Sequence, residues 1–432
     1  DRGLYRSLDG GAWWSRVLFV NDSTGCVDVA IDPAHPDRVY AATWERTRRA
    51  STRTYGGAGS GVWRSLDGGT TWTRLAGGLP PASANSGRIG IALAPSAPLT
   101  LYAIYSDAAG TFTGFYRSLD GGDTWTQTES GPLAIDSPYC WWFGRIWVNP
   151  ADSAQAWVDG LRLYRTDDGG DSWTTVLGLH PDQHAQWILP SNPLRMWKGN
   201  DGGLYHTFDG GESWSIIPGL PTVQLYSVEA SAADPHRIYG GAQDNGMLRT
   251  PTPTDGWELL FSGDGQYVVV DPTTTNTVYA AWQYGNLLRS TNGGTTFAAA
   301  TSGIATGDRK NWSTPVVVDP VTKGRAQTRL YYGANRLYRS NSSAATWAAV
   351  SSDLSNGDAG ANGVVYGTIT SMAVAPSDSA TIYVATDDGN VWVSSDFAAT
   401  WQAIRAGLPQ RWITRVVVDP VNPAIAYVTL SG

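Results

Sequence analysis

Residues 64–72 read RSLDGGTTW, a run that fits the pattern Ser/Thr-x-Asp-x-Gly-x-x-Trp. The clear copies of this pattern are RSLDGGAWW (6–14), RSLDGGDTW (117–125), RTDDGGDSW (165–173) and HTFDGGESW (206–214). The weaker copies are RSTNGGTTF (289–297), RSNSSAATW (339–347) and VSSDFAATW (393–401). Self-similarity along a chain is the sequence signature of a repeat fold, so these copies predict one structural unit used many times.

The repeated run predicts a tight turn between two β-strands. An aspartate carboxylate can accept hydrogen bonds from nearby backbone N–H groups, glycine tolerates a positive φ, and the tryptophan can fold back and bury its ring over the turn. The acid and the indole therefore have a structural role, and we do not expect the acids to be catalytic. The residues with this role are Asp9, Trp14, Asp67, Trp72, Asp120, Trp125, Asp168, Trp173, Asp209 and Trp214.

A second element alternates with the turn. It is an apolar strand that ends in Asp-Pro or a relative, followed by a short turn and another strand, as in YVVVDPTTTNTVYAAW (267–282). Each repeat then has four antiparallel strands in about 40–50 residues, which is typical of a β-propeller blade. The prediction is an all-β fold, with blades at about 27–77, 88–130, 145–178, 184–217, 226–261, 267–300, 315–350 and 370–405.

The two ends of the chain hold half a repeat each. Residues 3–18 supply two strands without the first two, and residues 415–432 supply the first two strands without the rest. We therefore expect a closing blade shared by both ends, which avoids a free sheet edge and gives one propeller of about nine blades over residues 1–432. The alternative is part of a tandem pair of seven-bladed propellers. The fifth repeat has TPTPTDGW (250–257) in place of a clear turn motif.

Charge and composition exclude several classes of function. The formal net charge of −8 disfavours a nucleic-acid partner, since phosphate binding needs a basic surface. The one basic cluster, Arg46, Arg48, Arg49 and Arg53, is interpreted as a solvated loop. No apolar run is long enough to span a membrane. Cys26 and Cys140 are either a disulfide or two separate thiols.

The motifs resemble the Asp-box, or BNR-repeat, β-propeller superfamily. Within it, the segments YGGAQDNG (239–246), GDGQYVVVDP (263–272) and RKNWSTP (309–315) are similar to those of bacterial secreted proteins labelled sortilin-like or "glycosyl hydrolase, BNR repeat". The resemblance implies a propeller fold and leaves the activity open. Sialidases of the superfamily carry an Arg-Ile-Pro motif that this sequence lacks. Xyloglucanases of the superfamily use two aspartates that face each other across a cleft between two propellers.

The irregular loops opposite the Asp-box turns gather aromatic and polar residues, which suits stacking on sugars or anchoring a peptide. The candidate ligand-binding residues are Trp44, Trp141, Trp142, His180, His184, Trp282, Tyr284, Arg309, Trp312 and Trp412. Hydrolysis of a glycoside would need two carboxylates across a cleft, and the weak candidates are Asp201, Asp244, Asp264 and Asp387. Their Gly and Asn neighbours favour ordinary turns. His180, Asp182 and His184 form a weak cation motif without an evident fourth ligand, so we expect neither a metal nor a cofactor.

The function expected from these observations is that of an extracellular, secreted or cell-surface binding or scaffold propeller without catalytic activity. Its partner would be a glycan or a protein segment. The alternatives are a polysaccharide-active glycoside hydrolase of the xyloglucanase type, and a structural component of a surface assembly with an assembly partner.

Overall fold

The computed structural model describes residues 2–48, 53–128, 131–136, 139–220, 222–231, 234–250, 256–274, 276–321, 327–358 and 366–431. In these ranges the chain consists of β-strands, two short 3-10 helices at Gly131–Asp136 and Gln283–Gly285, and loops, without an α-helix. The chain forms two compact units, Asp1–Pro221 (unit 1) and Thr222–Gly432 (unit 2). Across the described ranges, no helix has the length and hydropathy that a membrane-spanning helix needs.

Unit 1 has four antiparallel sheets of four strands each, together with two hairpins of two strands. The hairpins are β1 (Leu4–Arg6) with β2 (Ser15–Leu18), and β5 (Thr47–Arg48) with β6 (Arg53–Thr54). The sheets are sheet 1 (β3 Thr24–Ile31, β4 Val39–Glu45, β7 Gly61–Ser65, β8 Thr73–Arg74), sheet 2 (β9 Ser86–Leu93, β10 Leu101–Asp107, β11 Phe112–Ser118, β12 Thr126–Gln127), sheet 3 (β13 Arg145–Asn149, β14 Asp152–Asp159, β15 Leu163–Thr166, β16 Thr174–Val176) and sheet 4 (β17 Gln183–Ile188, β18 Met196–Asn200, β19 Gly203–Thr207, β20 Ser215–Ile216).

Unit 2 also has four antiparallel sheets of four strands, followed by a hairpin of β37 (Ile413–Val418) with β38 (Ala426–Leu430). The sheets are sheet 5 (β21 Leu225–Ser231, β22 Asp234–Ala242, β23 Gly246–Arg249, β24 Glu258–Phe261), sheet 6 (β25 Val268–Val270, β26 Val278–Trp282, β27 Asn286–Ser290, β28 Ala298–Ala299), sheet 7 (β29 Val316–Val318, β30 Leu330–Gly333, β31 Leu337–Ser340, β32 Ala348–Ala349) and sheet 8 (β33 Ile369–Ala375, β34 Asp378–Thr386, β35 Val391–Ser394, β36 Gln402–Ala403).

The predicted fold class is confirmed: the chain is all-β and is built of consecutive four-stranded antiparallel sheets, as β-propellers are. The number of blades and the closing blade shared by both ends stay predictions. Residues 251–255, which belong to the TPTPTDGW segment, lie outside the described residues, as does Arg49.

The apolar core lies between neighbouring sheets. Tyr40 and Val62 of sheet 1, for example, are buried in one cluster with Ile89 and Tyr105 of sheet 2. Because a neighbouring sheet covers each face, the second strand of a sheet can be apolar on both sides. β4 shows this pattern, since six of its seven residues are buried.

Buried tyrosines at equivalent positions of the second strands tie successive sheets together. The Tyr40 hydroxyl donates to the Gly121 carbonyl in the Asp-box turn of sheet 2 at 2.9 Å. In unit 2 the Tyr239 hydroxyl donates to the Gly293 carbonyl in the turn of sheet 6 at 3.0 Å. A buried hydroxyl needs a partner, and these two bonds fix how sheet 1 meets sheet 2 and how sheet 5 meets sheet 6.

The Asp-box turns have a hydrogen-bond pattern that explains the motif. Ser65 Oγ accepts from Gly69 N at 2.7 Å and donates to Asp67 Oδ1 at 2.7 Å. Asp67 also accepts from the backbone N–H and the hydroxyl of Thr71, and Trp72 Nε1 donates to the Gly69 carbonyl at 3.1 Å. These bonds pull the pKa of the Asp67 carboxyl well below its usual range, led by the one from the Thr71 hydroxyl. At Asp9, Asp120, Asp168 and Asp209 the acid likewise accepts from a serine or threonine hydroxyl two residues earlier and from a backbone N–H four residues later.

The first Asp-box turn of unit 1 departs from the prediction that the tryptophan buries its ring. The Trp14 indole folds over its turn, with Nε1 donating to the Gly11 carbonyl, but it stays 57% exposed because β1 and β2 form a sheet of only two strands. Trp125 in the four-stranded sheet 2 is 5% exposed.

Cys26 and Cys140 are both free and half-buried, so the possible disulfide is not formed. Burial raises the pKa of the Cys140 thiol to about 12.

Candidate functional site

An aromatic turn of unit 1, residues 139–144, lies between sheets 2 and 3. The Tyr139 carbonyl accepts from the backbone N–H groups of Trp142 at 3.0 Å and Phe143 at 3.2 Å. The buried guanidinium of Arg88, in β9, donates to the carbonyls of Trp142 at 2.7 Å and Phe143 at 2.6 Å. Two bonds from a buried arginine hold the backbone of the turn in one conformation. On this fixed turn Trp142 is 51% exposed and Tyr139 is 47% exposed.

Two further rings, Tyr55 and Trp44, form a stack with Trp141 of this turn. Tyr55 lies between Trp44 and Trp141, with centroid distances of 6.4 and 4.4 Å and interplanar angles of 17° and 29°. Trp44, at the end of β4, donates its Nε1–H to the Tyr55 carbonyl at 2.5 Å. Trp141 meets Trp142 edge to face at 5.3 Å. The loop between β6 and β7, which carries Tyr55, is therefore joined to the aromatic turn by continuous ring contacts.

The guanidinium of Arg46 packs on the same stack. Its central carbon is 4.9 Å from the centroid of Trp44, 5.4 Å from Tyr55 and 5.5 Å from Trp141. Arg53 lies 5.5 Å from the Tyr55 centroid. Each contact has the geometry of a cation–π interaction. Arg46 and Arg53 thus lie against an aromatic surface, where the sequence predicted only a solvated loop.

Polar side chains lie at the other end of this row of rings, beside Trp142. His184, in β17, lies 6.5 Å from Trp142 and 5.4 Å from Phe143 between ring centroids. Its Nε2 is 2.6 Å from Asp201 Oδ1. A carboxylate oxygen of Asp182 lies within 4.8 Å of one of Asp201. We call Trp44, Tyr55, Trp141, Trp142 and His184 the aromatic strip; it ends at Asp201.

The structure brings together four of the candidate ligand-binding residues in the aromatic strip: Trp44, Trp141, Trp142 and His184. Trp44 is only 6% exposed, so it supports Tyr55 from the interior and the prediction that it contacts a ligand is wrong. His180 lies nearby in sequence, but its Nδ1 is 3.1 Å from the neighbouring Pro181 carbonyl. Sequence reasoning missed Arg88, whose signal is a basic residue inside the apolar run SGRIGIAL (86–93). Burial of such a residue requires acceptors, which here are the carbonyls of the aromatic turn.

The candidates in unit 2 form separate small groups. Trp282 meets Phe261 edge to face at 5.9 Å, and Tyr366 meets Trp412 at 6.4 Å. Tyr284 meets Trp312 at 5.2 Å. The Trp312 Nε1–H is directed at the Tyr226 hydroxyl, 3.3 Å away.

Arg309, also in unit 2, holds loops together. Its guanidinium donates to the Asp353 carboxylate at 2.6 Å, to the Ser355 hydroxyl at 2.9 Å and to the Gly367 carbonyl at 3.2 Å. Because its guanidinium is bonded to these partners, Arg309 stabilises the loops around it and does not line an open binding surface.

Three of the four acids proposed for hydrolysis, Asp201, Asp264 and Asp387, have side-chain partners in their own units. Asp264 is 7% exposed and accepts from the Asp244 backbone N–H at 3.0 Å and from Gln283 Nε2 at 2.6 Å. Asp387 is 1% exposed and accepts from the backbone N–H groups of residues 366 and 368 at 2.7 and 2.8 Å. Burial raises the pKa of the Asp387 carboxyl. Asp244 itself has a φ of 58°, as turn residues often do, and Asp201 pairs with His184.

The fold and this site define an all-β protein of propeller-type sheets that presents an aromatic surface. No family model matches the chain, and no curated protein matches it. Among solved structures, it is similar to a GH74 enzyme from Niastella koreensis, at 17% identity, 91% coverage of this chain, 68% of that chain and a TM-score of 0.36.

It is also similar to the GH74 xyloglucanase from Xanthomonas campestris, at 18% identity, with all of this chain and 78% of that chain covered and a TM-score of 0.36. The similarity to YCF48 from Cyanidioschyzon merolae has 14% identity, 72% and 93% coverage and a TM-score of 0.31. These are β-propeller folds. At such TM-scores the similarities assign neither a family nor a function to this chain.

Proposed function

We propose that this chain is an extracellular carbohydrate-binding protein whose aromatic strip holds a glycan without cleaving it. The observation that carries the proposal is the half-exposed indole of Trp142 on a turn fixed by Arg88. A flat apolar ring that needs no ordering on binding stacks on a sugar ring at low entropic cost.

The polar end of the aromatic strip supports the same function. Sugar hydroxyls need donors and acceptors at fixed positions beside the stacking ring. His184 and Asp201 supply both kinds of group, and their 2.6 Å contact orients them before any ligand arrives. The exposed Tyr139 adds a second ring on the same turn.

Binding without cleavage fits the positions of the acids. Asp264 and Asp387 are buried and accept hydrogen bonds from loop backbone, which gives them a structural use. A glycosidase needs a carboxylic acid and a carboxylate on opposite sides of the scissile bond. Neither Asp264 nor Asp387 is exposed enough to flank such a bond.

The test is affinity electrophoresis and calorimetry with a panel of soluble plant and microbial polysaccharides. The wild-type chain should bind at least one polymer, and Trp142→Ala should lose most of that binding with its thermal stability unchanged. Trp187→Ala is the matched control, since Trp187 is an exposed tryptophan of unit 1 (59% exposed) that is not part of the aromatic strip.

Two results would contradict the proposal. Release of new reducing ends from the bound polymer would show a glycoside hydrolase. Absence of binding to every polymer, combined with discrete higher-order species on sizing, would favour a structural component of an assembly.

A further inference from the structure

The arginine on the aromatic strip differs in its contacts from other half-buried arginines of unit 1. Arg165 pairs with Asp167 and Glu212, and Arg64 pairs with Asp123. In the described ranges no ion pair includes Arg46. Its Nε–H is buried and has no hydrogen-bond partner in the part of the chain that the structure describes. That nitrogen is too deep for a ligand to reach, but Arg46 as a whole is part-exposed. Its other N–H groups also find no acceptor among the described residues, and a hydrogen bond from a charged donor to a ligand oxygen there would be favourable.

The packing of Arg46 on the rings bears on which of its donors a ligand meets. A guanidinium that lies on aromatic faces keeps its N–H groups in its own plane, at the edge of the stack. Planar paired donors match the two oxygens of a carboxylate. Trp44, Tyr55 and Trp141 thus place a carboxylate-binding group beside the rings that would stack on sugars.

The side chains around Arg46 add further positive charge. Arg48 and Arg2 lie near enough to lower the pKa of Arg46 further, after the larger effect of its burial. Arg53 lies on Tyr55. This concentration of positive charge occurs in a chain with a formal net charge of −8. A local field opposite to the net charge attracts anionic ligands to one place on the surface.

We infer that the aromatic strip selects glycans that carry carboxylates, that is, polysaccharides containing uronic acid, with Arg46 as the residue that reads the carboxylate. This inference rests on the proposed carbohydrate binding and names its ligand class. A glycan fits better than an acidic peptide because the rings provide a stacking surface that a chain of acidic side chains does not use.

The decisive comparison uses the wild-type chain and two forms of one polymer. Polygalacturonate and its carboxyl-reduced product share backbone linkage and differ in charge. The wild type should bind the carboxylated form about tenfold to hundredfold more tightly, the range expected for hydrogen bonds to a charged group. The preference should shrink as salt rises, because the charges are partly exposed.

Variants assign the preference to Arg46. Arg46→Gln should reduce the ratio of the two affinities by about tenfold or more, and Arg46→Lys should recover only part of it, since lysine cannot form the paired contact. Arg195→Gln is the matched control, because Arg195 packs on the ring of Phe208 at 5.2 Å in the same unit. It should leave both affinities unchanged.

Each outcome decides one of the two proposals. Equal affinity of the wild type for both polymers overturns the carboxylate inference and leaves carbohydrate binding intact. Absence of binding to either polymer and to neutral glucans overturns both. Displacement of the polysaccharide by poly-glutamate at equal charge concentration overturns the choice of a glycan in favour of an acidic peptide.

Discussion

The Asp-box turns of unit 1 and unit 2 differ in the residues that occupy positive φ values. In sheet 2 the turn places Gly121 and Gly122 at 76° and 95°. In sheet 7 the equivalent positions are Ser343 and Ala344, at 53° and 63°. Glycine adopts this region freely, whereas a residue with a Cβ pays about 1–2 kcal/mol there. Sheet 7 therefore forms the same turn with strain that sheet 2 avoids, whereas sheet 6 of unit 2 keeps glycines, Gly293 and Gly294, at 71° and 95°.

The hydrogen bonds show why the strained turn still forms. Ser118 Oγ accepts from Gly122 N at 2.9 Å in unit 1, and Ser340 Oγ accepts from Ala344 N at 3.0 Å in unit 2. The hydroxyl before the turn thus fixes the backbone in both units. The residues that follow in the turn decide only how strained its backbone is. The turn therefore still forms when its glycines are replaced by other residues.

The units also differ in how they bury an acid near the end of a second strand. In unit 1, Asp159 ends β14, is fully buried and pairs with the buried Lys198 while accepting from Trp147 Nε1 at 2.8 Å. In unit 2, Asp387 follows β34 and, among the described residues, makes no ion pair. It relies on hydrogen bonds from loop backbone. One acid joins two sheets, and the other ties a loop.

Removal of the cation from unit 1 should have the largest effect on stability. Lys198→Met leaves Asp159 buried with one hydrogen bond, and breaking a buried pair in this way costs about 3–5 kcal/mol. Urea unfolding followed by tryptophan fluorescence measures the loss. Asp387→Asn should cost clearly less, because burial already disfavours the charged form and raises the pKa of that carboxyl. Equal losses for the two variants would contradict the distinction.

Exchange of the turn residues tests the strain directly, first in unit 1. A Cβ at residue 122 would meet Leu75 Cδ1 at 2.8 Å, with φ at +95°. Gly122→Ala should therefore lose about 2–3 kcal/mol, the backbone cost of about 1–2 kcal/mol plus a smaller cost for moving the end of the Leu75 side chain. Gly11→Ala has the same φ of +95° and only a 3.8 Å contact, to Trp14, so it should lose less. A larger loss for Gly11→Ala would show that steric contact is not the cause.

Much of the fold could be predicted because the turn motif is local. Ser65, Asp67, Gly69 and Trp72 lie within eight residues, and their bonds to one another specify the turn without help from the rest of the chain. Because the motif repeats, the same turn could also be predicted where the motif is incomplete, as in sheet 7, which has Ser342 at the aspartate position. The all-β class and the four-stranded sheets follow from this local code.

The site could be predicted only in part, because its contacts join irregular loops. Trp141 and Trp142 are evident as exposed-loop aromatics, but Tyr55 meets Trp141 from a loop 86 positions earlier in sequence. Arg88 binds carbonyls 54 and 55 positions away. A repeat fixes where strands pair and leaves loop conformation open, so sequence placed Arg46 in a solvated loop.

The reverse exchange should stabilise unit 2. Ala344→Gly removes the Cβ from a residue at a φ of 63° and should gain about 1 kcal/mol, less the entropy that glycine costs in the unfolded chain. The measurement is the midpoint of thermal unfolding. Ala345→Gly is the control, since Ala345 is exposed and is not among the residues with positive φ. If both variants lose stability, the strain assigned to this turn is wrong.

The smallest expected effect is on how stability depends on pH. This dependence comes from an Asp-box aspartate in unit 1 and can be introduced into unit 2 by substitution. Hydrogen bonds, led by that from the Thr124 hydroxyl at 2.5 Å, lower the pKa of Asp120 to about 2. The unfolded value is about 3.9, so this carboxylate contributes stability above that pH and loses it as the pH falls through about 2.

Asp120→Asn removes that contribution, so the difference in unfolding temperature between wild type and variant should shrink as the pH is lowered from about 5 to about 2. In sheet 6 the equivalent residue is Asn292, whose Oδ1 accepts from Thr296 N at 2.9 Å. Asn292→Asp should therefore gain stability at neutral pH and gain none near pH 2. A gain that persists unchanged at low pH would mean that the oxygen, and not its charge, holds the turn.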